Sequence, residues 1–554
     1  MPRSNSLKII PLGGAGEIGK NMTVFRLGDQ IIVVDAGLMF PEEEMLGVDI
    51  VIPDITYLEE NADKVLAIIL THGHEDHVGA VPYVLRKVDA PIYSSRLTLG
   101  LLSAKLAEHR LEEMARLNEV APGDRLRIGD FDIELIRVSH SIPDCFGLAI
   151  RTEFGTVVHT SDFKFDHTPV DGRQTDMAKF AQLGDEGVRL LLTDCTNVEK
   201  KGYTPSERVV GDAFDQIFAN VKGRIVIAAF ASNIHRMQQV FDTAARYGRR
   251  VAVIGRSMAQ NSEIAQRLGY LNIPDGALMT MAELSEAEPS KTVIMTTGSQ
   301  GEPLSALTRM AMDEHKKIRI SKGDTVIISA TPIPGNEDLV LRTINRLFKL
   351  GADVVYDLVA PVHASGHGNQ EDLKLMLNLV RPKYILPIHG EHRHYAKFME
   401  LAAQLGYERD RIFPLEIGDV LQLTKRTIKI KGKVSVGNVM VDGLGVGDVS
   451  DVVLRDRRHL SQDGVIIVTA SIDRNRGIVL AGPDLISRGL THPENADDLL
   501  EEAKQVVLNA LRSIPEEEMA EWTAVKADVR SALAKFIYER TRRRPMIVPV
   551  IMEV

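Results

Sequence analysis

The sequence predicts an α/β fold with several domains, and three observations support that prediction. The chain has 554 residues, of which 44% are apolar and 26% charged, so it is a globular protein with room for a substantial core. Its first third mixes short apolar strands with helices, which is typical of layered sheets with helices outside them. From residue 209 onwards, apolar strands and amphipathic helices alternate strictly, which indicates βαβ units around a parallel sheet buried on both faces.

The first third is predicted to consist mainly of short strands. Two of them, 23–27 and 30–35, are joined across Gly28 and Asp29, a pair typical of a hairpin turn. The other predicted strands are 7–11, 67–70, 131–138, 148–152, 155–160 and 190–194, and the predicted helices are 78–87 and 95–117.

The alternating region and the segments after it complete the predicted elements. The alternating helices are 209–220, 234–247, 258–268, 303–315 and 337–350, and the strands between them are 224–229, 251–254, 292–296, 324–329 and 353–356. The mixed pattern then resumes with a helix at 369–380, a strand at 384–387 and a helix at 393–405. The last unit is predicted to be α+β, with strands at 464–472, 477–481 and 546–552 and helices at 496–511 and 519–540.

Charge and cysteine content exclude several classes of protein. The chain has 66 Lys and Arg against 76 Asp and Glu, a net charge of −10, so it does not coat nucleic acid through its overall charge. Any polyanionic partner must therefore meet a local basic channel. Two cysteines without a CxxC pair fit a reducing cytosol, and no signal peptide or long apolar run is present. The sequence therefore predicts a cytoplasmic protein that is not inserted in a membrane.

A glycine-rich run near the N-terminus resembles a dinucleotide-binding fingerprint. Gly14, Gly16 and Gly19 have the GxGxxG spacing, and Asp35 lies where a ribose-binding acid would lie. Binding of pyrophosphate requires a helix directly after the glycines, whereas a hairpin is predicted there. We therefore favour a tight loop that needs glycine for its backbone conformation.

Four side chains of metal-binding type lie within six residues. His72, His74, Asp76 and His77 lie on a loop between the apolar strand 67–70 and the following helix. Imidazole and carboxylate groups suit Zn²⁺ or Mn²⁺, and residues 72 and 74 can converge on one ion while residues 76 and 77 turn towards a second. One histidine alone is usually structural, but this density at a strand end predicts a two-metal hydrolase.

The loop resembles the metal-binding motif of the metallo-β-lactamase superfamily, whose other motifs can be matched in order. Asp35 matches the first motif, an acid that supports the metal loop from the second shell. His140 matches the third motif and Asp162 the fourth, and both follow apolar strands. The ligand sets that this resemblance implies are His72, His74 and His140 for one ion, Asp76 and His77 for the other, and Asp162 shared by both.

The second ion still needs one more imidazole, and a distant segment offers it. His389 follows the apolar strand 384–387, more than 200 residues beyond Asp162, so the alternating region between them is an insertion. This arrangement resembles the β-CASP group of nucleic-acid-processing metallo-β-lactamases. Asp194, His367 and His389 match the three additional motifs of that group.

Within the β-CASP group, the runs Gly13–Asn21, Thr297–Pro303 and His363–Gly368 resemble the bacterial ribonuclease J family. The resemblance covers roughly the first 450 residues, and the separate C-terminal unit also suits the family. It implies a metallo-β-lactamase αββα sandwich, an inserted parallel-sheet α/β domain of the β-CASP type and a small α+β C-terminal domain. The predicted boundaries are 1–208 and 363–448 for the two parts of the metallo-β-lactamase domain, 209–362 for the β-CASP domain, 449–462 for a linker and 463–554 for the C-terminal domain.

The resemblance also implies an activity and a mechanism. The family is described as acting on RNA as a 5′-to-3′ exonuclease and as an endonuclease, in RNA maturation and mRNA decay. A hydroxide bridging two cations would attack the phosphodiester and leave the phosphate on the 5′ side of the product. His367 is the predicted general acid, oriented by Asp194, and Asp76 is the third predicted catalytic residue. His363 is predicted to support the His367 loop.

A pocket for a 5′-monophosphate is expected one nucleotide from the metals. Hydroxyl, amide and helix N-terminal N–H groups can bind phosphate without adding formal charge. The candidates are Ser232, Asn233, Ser365, Gly366 and His367.

The family resemblance further implies single-stranded RNA as the partner, with a preference for a 5′-monophosphate end. It implies a homodimer or homotetramer formed through the C-terminal region, and membership of an RNA degradation complex. Zn²⁺ is favoured over Mn²⁺, although both accept these donors, and Mg²⁺ in an accessory role is left open.

Two other functions are alternatives to a ribonuclease. A β-CASP nuclease could act on DNA, because no motif in this chain shows how the 2′-hydroxyl of RNA is recognised. A catalytically silent scaffold in an RNA degradation complex is disfavoured, because every metal-ligand position is filled.

Overall fold

The structure is a computed structural model. It describes residues 5–42, 44–302, 305–333, 336–473, 478–490, 496–514 and 522–553. The chain forms two compact units, of which the larger comprises Met1–Phe40 and Ile50–Val439, and the smaller comprises Pro41–Asp49 and Met440–Val554.

The first sheet of the larger unit has eight strands. Its central strands are mostly apolar and buried on both faces. Neighbouring residues such as Ile9 and Ile10, or Ile32 and Val33, belong to cores on opposite faces. Across the sheet the strand order is Ile428–Lys433, Asp419–Leu423, Leu7–Gly13, Met22–Leu27, Gln30–Val34, Val65–Ile69, Ile92–Ser94 and Leu117–Glu119.

The second sheet has six strands and the same two-sided burial. Leu148 and Ala149 belong to cores on opposite faces, as do Leu190 and Leu191. The strand order is Tyr384–Ile388, Val188–Asp194, Gly155–His159, Phe146–Thr152, Phe131–Arg137 and Arg125–Ile128.

The two sheets pack face to face, with helices on both outer faces. The core between them includes Phe25 and Ile69 from the first sheet and Phe146 and Leu192 from the second. The first sheet is covered by Thr56–Glu59, Glu75–Val78, Val81–Leu85 and Arg96–Glu108, and the second by Met177–Glu186, Gln370–Val380 and His392–Gln404. These four layers are an αββα sandwich.

A five-stranded parallel sheet lies in the chain between the last two strands of the second sheet. Ile225 and Ile227 face one core, while Val226 and Ala228 face another, so helices are needed on both sides. The strand order is Arg250–Ile254, Thr292–Thr296, Ile225–Ala228, Thr325–Ile328 and Asp353–Val355. Its helices are Arg208–Asn220, Ile234–Arg246, Arg256–Leu268, Met281–Glu286, Ala306–Ala311 and Glu337–Lys349.

The smaller unit contains a three-stranded sheet, in which Val465–Asp473 is central between antiparallel Ile478–Arg488 and parallel Met546–Glu553. Alternate residues of the central strand, such as Ile466 and Val468, pack on the helices Ala496–Ser513 and Trp522–Thr541.

The remaining elements among the described residues are short or lie outside these sheets. They are the helix Asp451–Asp463, the strands Ala15–Gly16, Ile50–Pro53, Gly390–Glu391, Asn438–Asp442 and Gly445–Val446, and the 3-10 helices Ala62–Lys64, Pro289–Lys291 and Arg409–Arg411.

Several predicted elements differ from those observed. The predicted helix 95–117 ends at Glu108, because Arg110 adopts a left-handed conformation with φ 57°. The segment predicted as a linker, 449–462, is largely the helix Asp451–Asp463. The residues after Gly19 form the antiparallel hairpin of Met22–Leu27 and Gln30–Val34, so the dinucleotide interpretation fails.

Parts of three predicted elements lie outside the described residues. These are the start of the helix predicted at Pro303, the start of the strand predicted at Gly477 and the start of the helix predicted at Met519. The predicted division into five segments stays a prediction.

Candidate metal centre

The predicted ligands converge because they follow strands whose ends meet at one edge of the sandwich. A short parallel pairing of Ala15–Gly16 with Gly390–Glu391 joins the N-terminal glycine-rich loop to this edge, and the His389 N–H donates to the Gly14 carbonyl at 2.7 Å. Asp35 and His389 directly follow a strand, and Asp194 ends one. The other three lie three residues beyond a strand end: His72, His140 and Asp162.

Three imidazoles form the first cluster. His72 Nε2 lies 3.1 Å from His74 Nδ1, and His140 Nε2 lies 3.1 Å from the same nitrogen. His140 Nδ1 donates to the Gly366 carbonyl at 2.8 Å, so its Nε2 has a lone pair facing the cluster.

The lone pair of His72 is directed in the same way by a chain of hydrogen bonds. The Thr71 hydroxyl donates to Asp35 Oδ2 at 2.9 Å, so it accepts from His72 Nδ1 at 3.0 Å. His72 Nε2 is therefore unprotonated. Burial lowers the pKa of His74 to about 4 and holds that of His72 and His140 well below the usual value, so the three rings are neutral donors.

Two carboxylates and two imidazoles form the second cluster. His77 Nε2 lies 3.1 Å from Asp162 Oδ2, and its Nδ1 donates to Asp35 Oδ2 at 2.8 Å. His389 lies 3.2 Å from Asp162 Oδ1 through Nδ1 and 3.2 Å from Asp76 Oδ2 through Nε2. The latter contact lacks hydrogen-bond geometry, since His389 Nε2 is buried without a hydrogen-bond partner.

The charges of the second cluster suit a cation. Burial would raise the pKa of Asp76 and Asp162, but the adjacent histidines hold both below the usual value, so both are anionic. Burial lowers the pKa of His389, but Asp162 outweighs it and raises that pKa to about 10. In the absence of a cation, a proton on His389 thus balances part of the negative charge of Asp76 and Asp162.

The two clusters are contiguous through Asp162. Its Oδ2 lies 3.8 Å from the Nε2 atoms of both His72 and His140, as well as close to His77. The ligand atoms within each cluster lie within 4.8 Å of one another. The lone pairs of His72 and His140 converge on His74, and the carboxylates of Asp76 and Asp162 lie next to them. This arrangement fits a pair of divalent cations.

His367 and Asp194 lie beside the second cluster. His367 Nδ1 lies 2.8 Å from Asp194 Oδ2 and 3.9 Å from Asp162 Oδ2. Asp194 is buried, and its Oδ1 accepts from the Thr196 N–H at 2.9 Å and hydroxyl at 2.7 Å. Burial lowers the pKa of His367, but Asp194 and Asp162 outweigh it and raise that pKa above the usual value.

The candidates for phosphate binding fall into two groups. Gly366 packs against His140, and Ser365 and His367 flank it, so these three lie beside the first cluster. Asn233 caps the helix Ile234–Arg246 by accepting from the Arg236 N–H at 3.0 Å, and Ser232 precedes it. In the part of the chain that the structure describes, no hydrogen bond joins Ser232 or Asn233 to Ser365–His367.

His363 does not contact His367 in the hydrogen bonds of the described residues. It bonds the backbone of Ser329 in the parallel-sheet domain, and its Nδ1 is buried without a partner. Burial, with Arg236 next to it, lowers the pKa of His363 to about 3. Its predicted support of the His367 loop stays a prediction.

Several residues around the clusters were missed by sequence reasoning. Asn21 Nδ2 lies 3.1 Å from His77 Nε2 and donates to the Asp76 carbonyl at 3.2 Å. Thr71 lies next to a predicted ligand, and that adjacency was the only available signal. Asn197 binds the Ser365–His367 segment across 168 residues of sequence, a contact for which no short motif exists.

Comparison with known proteins places the chain in a family. It is 44% identical over 551 residues to a protein named Ribonuclease J2 from Bacillus subtilis, covering 100% of this chain and 99% of the relative. It is 46% identical over 559 residues to Ribonuclease J from Thermus thermophilus, covering 99% and 95% respectively. The chain belongs to the ribonuclease J family.

Family profiles that match four segments of the chain agree with this membership of the ribonuclease J family. Residues 15–192 match the metallo-beta-lactamase superfamily, 222–347 the ribonuclease J beta-CASP domain, 351–411 the Zn-dependent metallo-hydrolase RNA specificity domain and 452–554 the ribonuclease J C-terminal domain. The predicted fold class is thereby confirmed. The chain is a metal-dependent ribonuclease that hydrolyses RNA phosphodiesters, and its His and Asp clusters fit divalent metal ions.

A solved structure shows the same fold. A protein of unknown function from Enterococcus faecalis V583 superposes with a TM-score of 0.55 at 16% identity, over 76% of this chain and 100% of that one.

Among the described residues of this ribonuclease J family member, no helix has the length and apolar character needed to cross a membrane.

Proposed function

We propose that this enzyme binds two divalent cations per chain and cleaves single-stranded RNA both as a 5′-to-3′ exonuclease and as an endonuclease. The products keep the phosphate on their 5′ side, and the biological role is RNA maturation and mRNA decay. The observation that supports the proposal is the pair of ligand clusters joined through Asp162 at the sandwich edge.

The proposed ligands are seven side chains. Two cations bound there would attract the phosphoryl oxygens and lower the pKa of an attacking water. Neutral imidazoles with oriented lone pairs favour Zn²⁺, while the carboxylates also accept Mn²⁺, and Mg²⁺ would be accessory. The ligands are His72, His74 and His140 in the first cluster, and Asp76, His77 and His389 in the second, with Asp162 between them.

His367 is the proposed general acid. Its Nδ1 is bonded to Asp194, which fixes the ring and leaves Nε2 to deliver a proton to the leaving 3′-oxygen. The raised pKa of His367, which Asp194 and Asp162 cause against the effect of burial, favours the protonated ring that a general acid needs. Asp76 is the third proposed catalytic residue, because its carboxylate lies in the cation cluster at the reacting phosphate.

The proposed substrate end is a 5′-monophosphate. Ser365, Gly366 and His367 lie beside the first cluster, where a phosphate next to the reacting one would bind. Ser232 and Asn233, at the N-terminus of the helix Ile234–Arg246, are proposed to extend this pocket.

Assembly and location are proposed from the family resemblance. We infer a cytoplasmic homodimer or homotetramer formed through the C-terminal region and associated with an RNA degradation complex. Partly exposed apolar residues on one sheet of the smaller unit, Leu480, Ile486 and Val550, support this surface. Sedimentation of the Ile486→Glu variant should give a smaller species than the unmodified chain, and an unchanged species would contradict the proposal.

The test of the activity uses the full chain after chelation and after return of Zn²⁺, Mn²⁺ or Mg²⁺. RNA and DNA of one sequence, each with a 5′-monophosphate or a 5′-hydroxyl, are compared. His77→Ala should lose metal and activity together, whereas His367→Ala should lose activity by about 10²–10⁴-fold while keeping its metal. The exposed His459→Ala serves as the matched control.

Three results would contradict the proposal. One is full activity after exhaustive chelation, and the second is unchanged RNA cleavage by His77→Ala. The third is faster loss of the DNA than of the RNA, which would favour a DNA nuclease.

A further inference from the structure

The Ser365 hydroxyl lies between two hydrogen-bond donors. Asn197 Nδ2 donates to Ser365 Oγ at 2.8 Å, and the His367 N–H donates to the same oxygen at 3.2 Å. Each bond uses one lone pair of the oxygen, and a hydroxyl has two. Ser365 Oγ is therefore saturated as an acceptor.

The orientation of the Asn197 amide is fixed by a second contact. Asn197 Nδ2 also lies 3.1 Å from the His367 carbonyl oxygen. A carbonyl oxygen only accepts, so the amide nitrogen, and not the amide oxygen, must face this side. Asn197 is buried, with 6% of its surface exposed, which prevents water from replacing either bond.

The O–H of Ser365 must therefore point in a third direction. Among the described residues, none accepts a hydrogen bond from Ser365 Oγ. Ser365 is partly exposed, and the next residue, Gly366, packs against His140 of the first cluster. The hydroxyl proton thus points away from the protein at the edge of the candidate metal centre.

We propose that Asn197 is a positioning residue that fixes the direction of the Ser365 O–H, so that this group donates to a phosphate oxygen of bound RNA. The inference rests on the proposed function, in which Ser365 binds phosphate. A phosphate oxygen is anionic and can only accept hydrogen bonds. A hydroxyl whose lone pairs are already occupied can only donate one, so the two groups are complementary. Fixing the orientation of the Ser365 hydroxyl before RNA binds also lowers the entropic cost of binding.

The test is a double-mutant cycle with the metal-loaded full chain. Ser365→Ala should raise KM for 5′-phosphorylated RNA about tenfold, because one hydrogen bond to a charged group is lost. Asn197→Ala should raise KM about threefold to fivefold, because the hydroxyl becomes free to rotate. The double variant should have the KM of Ser365→Ala alone, since Asn197 acts through Ser365. The readout of the cycle is the ratio of KM values between the variants, and kcat is measured alongside it.

Thr204→Val is the matched control. The Thr204 hydroxyl donates to the same His367 carbonyl at 2.8 Å, so its loss weakens the anchoring of the segment, but Thr204 makes no hydrogen bond to Ser365. Its KM should stay within about twofold of the unmodified enzyme. If Thr204→Val reproduces the KM of Asn197→Ala, or if the two substitutions in the double variant have additive effects, Asn197 only holds the backbone and the proposal is wrong.

Other outcomes separate this inference from the proposed function. If Ser365→Ala leaves KM unchanged, the phosphate-binding role of Ser365 is itself wrong, although ribonuclease activity at saturating RNA still supports the enzyme function. If Ser365→Ala raises KM and Asn197→Ala does not, only the role of Asn197 is wrong. Comparison with 5′-hydroxyl RNA identifies the phosphate: an effect on phosphorylated RNA alone indicates the terminal phosphate, and an equal effect on both indicates an internal one.

Discussion

Gly366 is a residue at which even the smallest substitution, to alanine, should disturb the metal centre. A Cβ added there would lie 2.5 Å from His140 Cε1, 2.6 Å from His140 Nδ1 and 2.8 Å from Ser141 Oγ. Ordinary van der Waals contact begins near 3.4 Å, so His140 or the loop must move by about 0.9 Å. Gly366 does not have a positive φ, so the constraint is space and not backbone conformation.

The expected consequence of Gly366→Ala is weaker binding at the first cluster. Metal-ligand distances tolerate changes of about 0.2 Å, far less than the required movement. The same substitution also displaces the Gly366 carbonyl that accepts from His140 Nδ1. Loss of such an outer contact typically costs about 10–100-fold in metal affinity, whereas overpacking costs only about 1–3 kcal/mol of stability. The variant should therefore remain folded.

The assay is metal content by elemental analysis after dialysis against a graded chelator, together with RNA cleavage and thermal unfolding. Gly437→Ala is the matched control, because nothing lies within 4 Å of its added Cβ and it does not have a positive φ. The control should behave like the unmodified chain. Full metal content and full activity in Gly366→Ala would refute the reasoning, because the close approach of the loop to His140 would then have no functional effect.

Two further predictions concern protons and buried charge. Although burial lowers the pKa of His77 and His389, Asp162 raises both, that of His389 to about 10, so cations must displace protons. Calorimetry of the metal-free chain at pH 7.5 in two buffers should detect more than one proton released per chain, and zero would contradict this. Because the folded-state pKa of His389 is raised, its stabilisation of the metal-free chain is complete below pH 6.5 and is lost as the pH rises towards 10. Arg236 Nε donates to the buried Glu207 carboxylate at 2.6 Å. Arg236→Met removes this ion pair, so it should lower the free energy of unfolding by about 3–5 kcal/mol. Urea unfolding followed by circular dichroism measures this, and Arg236→Met with Glu207→Gln should recover part of the loss.

The parts of the site that could be predicted from sequence are those with local spacing or a strand before them. His72, His74 and His77 lie within six residues, and metal binding explains three histidines so close together better than a structural role in the core does. His389 was found because it follows an apolar strand and matches a family motif. Each of these signals can be read without knowing which strands are neighbours.

The residues that orient the ligands could not be found in this way. Asn21, Thr71 and Asn197 are single polar side chains, and their roles depend on contacts across one to 168 residues of sequence. An isolated asparagine or threonine in a loop is usually explained by turn chemistry. Only the packed structure shows that Asn21 contacts His77, or that Thr71 directs the His72 lone pair.

Helix ends and very short strands could also not be predicted from sequence patterns. No glycine or proline marks the end of the predicted helix 95–117, yet the helix ends where Arg110 takes a left-handed φ. The strands Ile92–Ser94 and Leu117–Glu119 have only three residues each, too few for a period-2 pattern to be recognised.

The position of the inserted domain explains how a ligand so far along the chain reaches the metal centre. The strands Val188–Asp194 and Tyr384–Ile388 are parallel neighbours in the second sheet, and Asp194 is paired with Ile388. His389 therefore emerges from the sheet beside Asp194, whatever the size of the domain between the two strands. Closing a longer loop costs little more than closing a shorter one, and the termini of a compact domain usually lie close together. The sheet register, rather than any contact within the inserted domain, thus fixes where His389 lies.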